Sequence, residues 1–104
     1  MTFYIKNENE LEDIVKEGIT IVDFHANWCG PCRMLSPVLD EFTEKYNHIK
    51  LAKVDVDENV ELSRKFKISA IPALLVFKEG QIVATEIGFK TFDDLEELFE
   101  GISK

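Results

Sequence analysis

The two cysteines of the chain, Cys29 and Cys32, are separated by Gly30 and Pro31 and stand where a helical pattern begins. Side chains three residues apart on a helix share a face, with Cβ atoms about 5–6 Å apart, and a disulfide accommodates Cα separations of about 4.4–6.8 Å. The bond can therefore open and close with little movement of the backbone. Because so small a loop stabilises a fold by only about 2 kcal/mol, the pair is better suited to redox chemistry than to structural cross-linking.

The position of the pair at a helix N-terminus predicts different tasks for its two members. Unpaired amides and the helix dipole favour a negative charge there, so we expect Cys29 to form a thiolate readily. Pro31 fits the first turn, because its missing N–H would have no partner in that turn. We expect Cys32, one turn further along, to be more buried and to remain a thiol. The sequence thus predicts Cys29 as the attacking nucleophile and Cys32 as the resolving thiol.

Two other interpretations of the cysteine pair are weaker. A structural zinc site usually needs four ligands, and besides the two thiols the chain offers only His25 and His48. We therefore expect no metal. An inert buried pair remains an alternative, but the Gly-Pro insert and the helix start both disfavour it.

The composition restricts the range of partners. Of the 104 residues, 45% are hydrophobic and 31% are charged, as in an ordinary globular protein. The net charge of −8, from 20 acidic and 12 basic residues, disfavours nucleic acid and anionic membranes, since both attract Lys and Arg. A chain of this length forms one core, so we expect a monomer with a single domain over residues 1–104.

The N-terminal sequence predicts the compartment. Residues 1–8 lack a basic segment followed by an apolar stretch, so they do not resemble a signal peptide. The longest apolar run, residues 73–77, is too short to span a membrane. We expect a cytoplasmic protein, and in the cytoplasm a lone cysteine pair is more often redox-active than a static cross-link.

Strand and helix patterns alternate along the chain. Strands are predicted over residues 2–6, 19–26, 49–56, 73–78 and 81–87, and helices between Asn7 and Gly18, over 29–46, over 57–66 and after the capping residue Thr91. The third helix offers Val60, Leu62 and Phe66 to the core, and the second offers an apolar set that includes Met34. The order β-α-β-α-β-α-β-β-α predicts an α/β fold with a mixed central sheet flanked by four helices.

The segment that carries the cysteines resembles a known family. Residues 22–32, which end in Trp28-Cys29-Gly30-Pro31-Cys32, are similar to the active-site segment of thioredoxins. The similarity continues through Pro37, residues 53–57, Ile71-Pro72, residues 77–80 and Gly88, and it covers essentially the whole chain. It implies the thioredoxin fold and a thiol–disulfide oxidoreductase.

The resemblance assigns roles to two charged residues near the pair. Asp23 matches the buried acid of thioredoxins, and its apolar neighbours in the sequence also predict burial. Desolvation would raise the pKa of Asp23 toward neutrality, so that it could deprotonate Cys32. Lys53 matches the lysine near that acid and would oppose the rise. The alternative for Lys53, a solvated residue on a strand, remains open.

The resemblance also implies a docking surface. Pro72 matches the cis-proline that faces the cysteines in thioredoxins. Pro72 has no N–H, so the Ile71 backbone would be free to pair with an extended substrate segment. The expected apolar docking surface consists of Trp28, Gly30, Pro31, Ile71, Pro72 and Gly88.

The sequence departs from the family pattern at two places. His25 stands where thioredoxins usually carry Trp. Either an aromatic packing contact is lost and compensated locally, or His25 adds a titrating group near the cysteines. Ala70 and Ala73 flank Ile71-Pro72 where Gly and Thr are common, and we expect little effect from two small residues.

The predicted function is reduction of disulfides in partner proteins. The resemblance implies that an NADPH-dependent thioredoxin reductase, or a ferredoxin-dependent one, resets the cysteine pair. The chain has no glycine-rich nucleotide loop, so we expect no bound cofactor. Two alternatives remain: an oxidase or isomerase, which a strongly oxidising potential would indicate, and a binding module in which the redox chemistry is incidental.

Overall fold

The computed structural model describes residues 1–102 as an alternation of strands and helices. Its elements follow the predicted order: β1 Thr2–Tyr4, α1 Glu8–Val15, β2 Ile19–His25, α2 Gly30–Lys45, β3 Ile49–Asp55, α3 Val60–Lys65, β4 Ala73–Lys78, β5 Gln81–Ile87 and α4 Phe92–Ile102. None of the helices within this range is long and apolar enough to cross a membrane.

The five strands form one mixed sheet in the order β1-β3-β2-β4-β5. β3 runs parallel to both β1 and β2, whereas β4 is antiparallel to both β2 and β5. The predicted mixed sheet with four helices is thus confirmed. β2 lies at the centre of the sheet, which explains why its sequence is apolar almost throughout.

Helices cover both faces of the sheet. On one face, Val22 and Phe24 of β2 pack in a cluster with α1 and α3, and on the other Ile21 packs with α2 and α4. Successive side chains of a strand alternate between faces. Asp23 therefore lies on the same face as Ile21, under α2, and this places a carboxyl group below the helix that begins at the cysteines.

Two local expectations were wrong. α3 begins at Val60 and not at residue 57, because the Asp55 carboxylate accepts hydrogen bonds from the amides of Asp57 (2.9 Å) and Glu58 (3.4 Å) and holds those residues in a turn. Val60 and Met34 were expected in the core, but they are 52% and 62% exposed.

The start of α4 carries a reciprocal cap. The Thr91 hydroxyl accepts a hydrogen bond from the Asp94 amide at 3.0 Å, and the Asp94 carboxylate accepts one from the Thr91 amide at 2.9 Å. Hydrogen bonding of the Asp94 carboxylate to the main chain and side chain of Thr91 lowers the pKa of Asp94. The predicted cap at Thr91 is confirmed.

We expect Thr91→Ala to lower the free energy of unfolding by about 1 kcal/mol, because the Asp94 amide at the helix N-terminus loses its hydroxyl acceptor. Guanidinium unfolding of the oxidised protein measures the change. Thr91→Ser keeps the hydroxyl and should retain most of the stability. An alanine variant as stable as the wild type would contradict the assigned cap.

Candidate active site

The cysteine pair lies at the junction of β2 and α2. Cys29 is the residue that caps α2, with an extended backbone, and its Sγ accepts a hydrogen bond from the Cys32 amide at 3.2 Å. The two residues form a disulfide, with Cα atoms 5.2 Å apart. Pro31 occupies the first turn of the helix. The sequence placed the pair at a helix start, and the structure confirms that position, with Gly30 as the first helical residue.

Exposure barely distinguishes the two cysteines. Cys29 and Cys32 are 5% and 4% exposed, so Cys32 is the more buried, as predicted, but only by a small margin. They differ in their surroundings. Cys32 lines a cavity that Asp23 also lines, whereas Cys29 is absent from its wall.

This cavity, hereafter the Asp23 cavity, has a volume of about 290 Å³. It lies between the ends of β2 and β3 and the first turns of α2, and its wall consists of Tyr4, Asp23, His25, Ala26, Asn27, Cys32, Arg33, Ser36 and Lys53. Asp23 is 2% exposed, and its Oδ1 has no hydrogen-bond partner among the described residues 1–102. Burial raises the pKa of Asp23 to about 7, Lys53 opposes this rise and Asp40 adds to it. A carboxyl group that titrates near neutral pH therefore shares a cavity with Cys32.

Lys53 is directly opposite Asp23 in the pairing of β2 with β3. Lys53 is only 8% exposed, so the alternative of a solvated lysine was wrong. The ammonium donates a hydrogen bond to the Ser36 hydroxyl at 2.6 Å and lies 3.7 Å from the Asp40 carboxylate. Ser36 and Asp40 were not identified from the sequence. Ser36 follows Cys32 by four residues, so a polar side chain on the same helix face was the available signal.

The segment before β4 lies beside the cysteines. The Ile71–Pro72 peptide bond is cis, as the family resemblance implied, and Pro72 is buried. Ile71 packs on the cluster formed by Ala26 and the two cysteines. No hydrogen bond joins the Ile71 main chain to any other residue in the range 1–102. Ile71 thus presents unpaired backbone groups close to the disulfide.

Gly88 lies next to this segment, since its amide donates a hydrogen bond to the Pro72 carbonyl at 2.8 Å. Its φ of +93° is a backbone conformation that residues other than glycine rarely adopt. The structure therefore brings Gly88, which follows β5, to the cis-proline.

Trp28 completes the exposed surroundings of the pair. It is 68% exposed, and its indole N–H donates a hydrogen bond to the Asp57 carboxylate at 2.8 Å. Pro31 is also exposed, and Gly30 is half-buried. The Arg33 guanidinium donates to the Asn27 carbonyl at 2.8 Å and ties α2 to the loop that precedes Cys29. Sequence reasoning missed Asp57 and Arg33, because neither contact has a local signature.

His25, the departure from the family pattern, is half-buried and also lines the Asp23 cavity. Burial lowers the pKa of His25 from its ordinary value of 6.5, Asp55 and Glu58 oppose this, and Lys53 adds to it. Among residues 1–102, no group of three or more His, Cys, Asp or Glu side chains is arranged to hold a metal ion.

Comparison with known proteins identifies the family. Residues 2–101 match the sequence model of the thioredoxin family. A thioredoxin of Bacillus subtilis is 47% identical over 83 residues, covering 79% of this chain and 80% of that protein, and one of Listeria monocytogenes is 44% identical over 88 residues, covering 84% and 85%. A mutant thioredoxin from Halobacterium salinarum superposes with a TM-score of 0.90 at 34% identity, over 99% of this chain and 91% of that one. Since motif, fold and relatives agree, the chain belongs to the thioredoxin family and is a thiol–disulfide oxidoreductase.

Proposed function

We propose that the protein reduces disulfides in partner proteins, with Cys29 as the nucleophile and Cys32 as the resolving thiol. The observation that carries this proposal is the Cys29–Cys32 disulfide at the start of α2, beside a buried carboxyl group with one oxygen that has no hydrogen-bond partner among residues 1–102. The α2 N-terminus favours the thiolate of Cys29, and the Cys32 amide already donates a hydrogen bond to its sulfur.

The reaction has two steps. In the first, the Cys29 thiolate attacks one sulfur of the partner disulfide, that S–S bond breaks, and the other partner sulfur leaves with the electron pair and takes a proton from solvent. In the second, Cys32 gives its proton to Asp23 and attacks Cys29, which releases the remaining partner sulfur as a thiolate. The partner gains two electrons and the Cys29–Cys32 disulfide forms.

Asp23 suits the second step because its pKa of about 7 lets the carboxylate accept a proton near neutral pH. We assign Lys53 a tuning role. Its charge lowers the pKa of Asp23 against the effect of burial, while Ser36 and Asp40 hold the ammonium in place.

The partner segment docks, in this proposal, on Trp28, Gly30, Pro31, Ile71, Pro72 and Gly88. Support comes from the unpaired main chain of Ile71, which an extended segment can use for backbone hydrogen bonds. Trp28 and Pro31, which flank Cys29 in the sequence and are exposed, offer apolar contact. Such backbone pairing accepts many sequences, which suits a general reductase.

We further propose that a thioredoxin reductase, NADPH-dependent or ferredoxin-dependent, returns the pair to the dithiol. In this proposal the protein works in the cytoplasm as a monomer of one domain. It needs no cofactor besides its own disulfide. Family membership supports the reductase assignment, and the net charge of −8 favours protein partners over nucleic acid.

Trapping with Cys32→Ser tests the assignment of roles. Without the resolving thiol, we expect partner proteins to accumulate as mixed disulfides on Cys29, from which dithiothreitol releases them. Cys29→Ser is the matched control and should trap nothing. Trapping through Cys32 in the Cys29→Ser variant would reverse the roles, and absence of trapping in both variants would favour a binding module.

A further inference from the structure

Asp23, with a pKa of about 7, gains and loses its proton at neutral pH, so this proton must pass between the buried carboxyl group and solvent. Asp23 is only 2% exposed, and its Oδ1 has no hydrogen-bond partner among residues 1–102. The carboxyl group therefore has almost no direct contact with bulk solvent through which to lose the proton. The Asp23 cavity is the available route.

The Asp23 cavity can hold water. Its volume is about 290 Å³, and one water occupies about 30 Å³ of the liquid, so several waters fit. The wall is polar at the Asp23 end, where Ser36 and Lys53 lie. Water in this space can accept the proton from Asp23, and the next group along the wall decides how the proton continues.

His25 is placed to be that next group. It follows Asp23 by two residues in β2, so the two side chains project from the same face of the sheet about 7 Å apart. Asp23 is buried, whereas His25 is half-buried and thus reaches solvent. Both residues line the same cavity.

We propose that His25 relays the proton of Asp23 between the cavity water and bulk solvent; this inference rests on the role of Asp23 proposed above. The Asp23 carboxyl gives its proton to a cavity water, which passes a proton to one imidazole nitrogen. The other imidazole nitrogen releases its proton to solvent. The products are the Asp23 carboxylate, neutral imidazole and a solvated proton, and no electrons move.

The other polar groups of the wall are less suited to this task. Lys53 is held by Ser36 and Asp40, and Arg33 by the Asn27 carbonyl, and a guanidinium does not give up its proton in proteins. Imidazole is the side chain that gains and loses a proton near neutral pH. The titratable and charged groups that face His25 from the elements around it are Tyr4, Asp23, Cys32, Arg33, Lys53, Asp55 and Glu58.

These neighbours keep His25 able to accept a proton. Burial and Lys53 lower the pKa of His25, and Asp55 with Glu58 limits that effect. The imidazole is therefore neutral at pH 7 and returns quickly to that form after each transfer. As a positioning residue that acts through Asp23, His25 should affect the rate of proton exchange and not the pKa of Asp23 as such.

Proton exchange at Asp23 can be measured without any disulfide substrate. Relaxation dispersion of the Asp23 carboxyl carbon, recorded in oxidised protein near pH 7 and in dilute buffer, reports exchange between the acid and the carboxylate on the microsecond to millisecond scale. We expect His25→Gln to slow this exchange by about tenfold or more, as for loss of a positioned acid–base group. Imidazole added to the solution should restore the rate.

His48→Gln is the matched control, since His48 is exposed and lies outside the wall of the Asp23 cavity. In this variant, proton exchange at Asp23 should be as fast as in the wild type. His25→Trp is the second variant, because Trp is the residue thioredoxins usually carry at this position, and it should also be slow. A wild-type rate in either His25 variant would overturn the relay. So would slow exchange that imidazole does not restore, because this indicates a structural change. Failure of Asp23 as the base would instead appear in the resolution kinetics of Asp23→Asn.

Discussion

Between pH 4 and pH 9, we expect the free energy of unfolding of the oxidised protein to fall by about 4 kcal/mol more than that of an Asp23→Asn variant. The carboxyl group is buried in the centre of the sheet with one oxygen unpaired among the described residues 1–102. Its ionisation therefore costs free energy in the folded protein and not in the unfolded chain. The uncharged amide of the variant has no such dependence on pH.

The sign and size follow from the two pKa values of Asp23. Folding raises the pKa from an ordinary 3.8 to about 7. Between these values the folded protein keeps a proton that the unfolded chain has lost, so the stability falls as the pH rises, and the fall levels off above about pH 7. Each tenfold change in acidity corresponds to about 1.4 kcal/mol, which gives the expected difference.

Urea unfolding at a series of pH values measures this prediction. The oxidised form is used so that neither cysteine titrates. Asp13→Asn is the matched control, because the Asp13 side chain is 79% exposed on α1 and its one ion pair among residues 1–102 is with exposed Lys16. This control should follow the wild type at every pH. Parallel curves for the wild type and Asp23→Asn would show that Asp23 ionises in the folded protein as it does in water.

The fold could be predicted from the sequence because its patterns are set by burial. β2 is apolar almost throughout since helices cover both faces of the central strand, and α2 repeats apolar residues toward one face. The start of α3 could not be predicted in this way. It depends on the Asp55 carboxylate binding two amides of the following turn, a competition between a side chain and the helix that hydrophobic spacing does not report.

The candidate site was only partly accessible to sequence reasoning. Spacing and position at a helix start indicated the redox role of Cys29 and Cys32, and apolar neighbours indicated burial of Asp23 independently of the family resemblance. Lys53 could not be assigned, because its environment depends on Ser36 and Asp40 of α2, which the fold brings to it from 17 and 13 residues earlier. The local sequence indicates which environments suit a residue, and contacts with distant residues decide which of these environments it has in the folded protein.

Contacts between distant segments account for most of what was missed. Trp28 bonds Asp57, which is 29 residues away, and the Asp23 cavity collects residues from β1, β2, α2 and β3. The cis bond before Pro72 was predicted only from the family resemblance.

At Asp23, the requirements of stability and of the reaction conflict, since a charge at the centre of the sheet lowers the stability of the fold. The same cost raises its pKa into the range that a proton acceptor needs.

The rate of the reaction should show what the buried carboxyl group of Asp23 contributes to catalysis. We expect Asp23→Asn to slow the second step, attack of Cys32 on the mixed disulfide, by about tenfold or more near pH 7, because the variant has no positioned base for the Cys32 proton and only about 3% of a thiol with an ordinary pKa of about 8.5 is ionised there. The first step, attack by Cys29, should change much less. A mixed disulfide between Cys29 and an aromatic thiol that absorbs on release separates the two steps by stopped flow.

The pH profile of the second step identifies the base. In the wild type, the rate should rise as Asp23 loses its proton and level off above its pKa of about 7. In Asp23→Asn, the rise should move to the range where a cysteine thiol ionises in water, about 8.5. Asp13→Asn should keep the wild-type profile. If Asp23→Asn also keeps that profile, another group deprotonates Cys32. The buried carboxyl group would then destabilise the protein at neutral pH without contributing to this step.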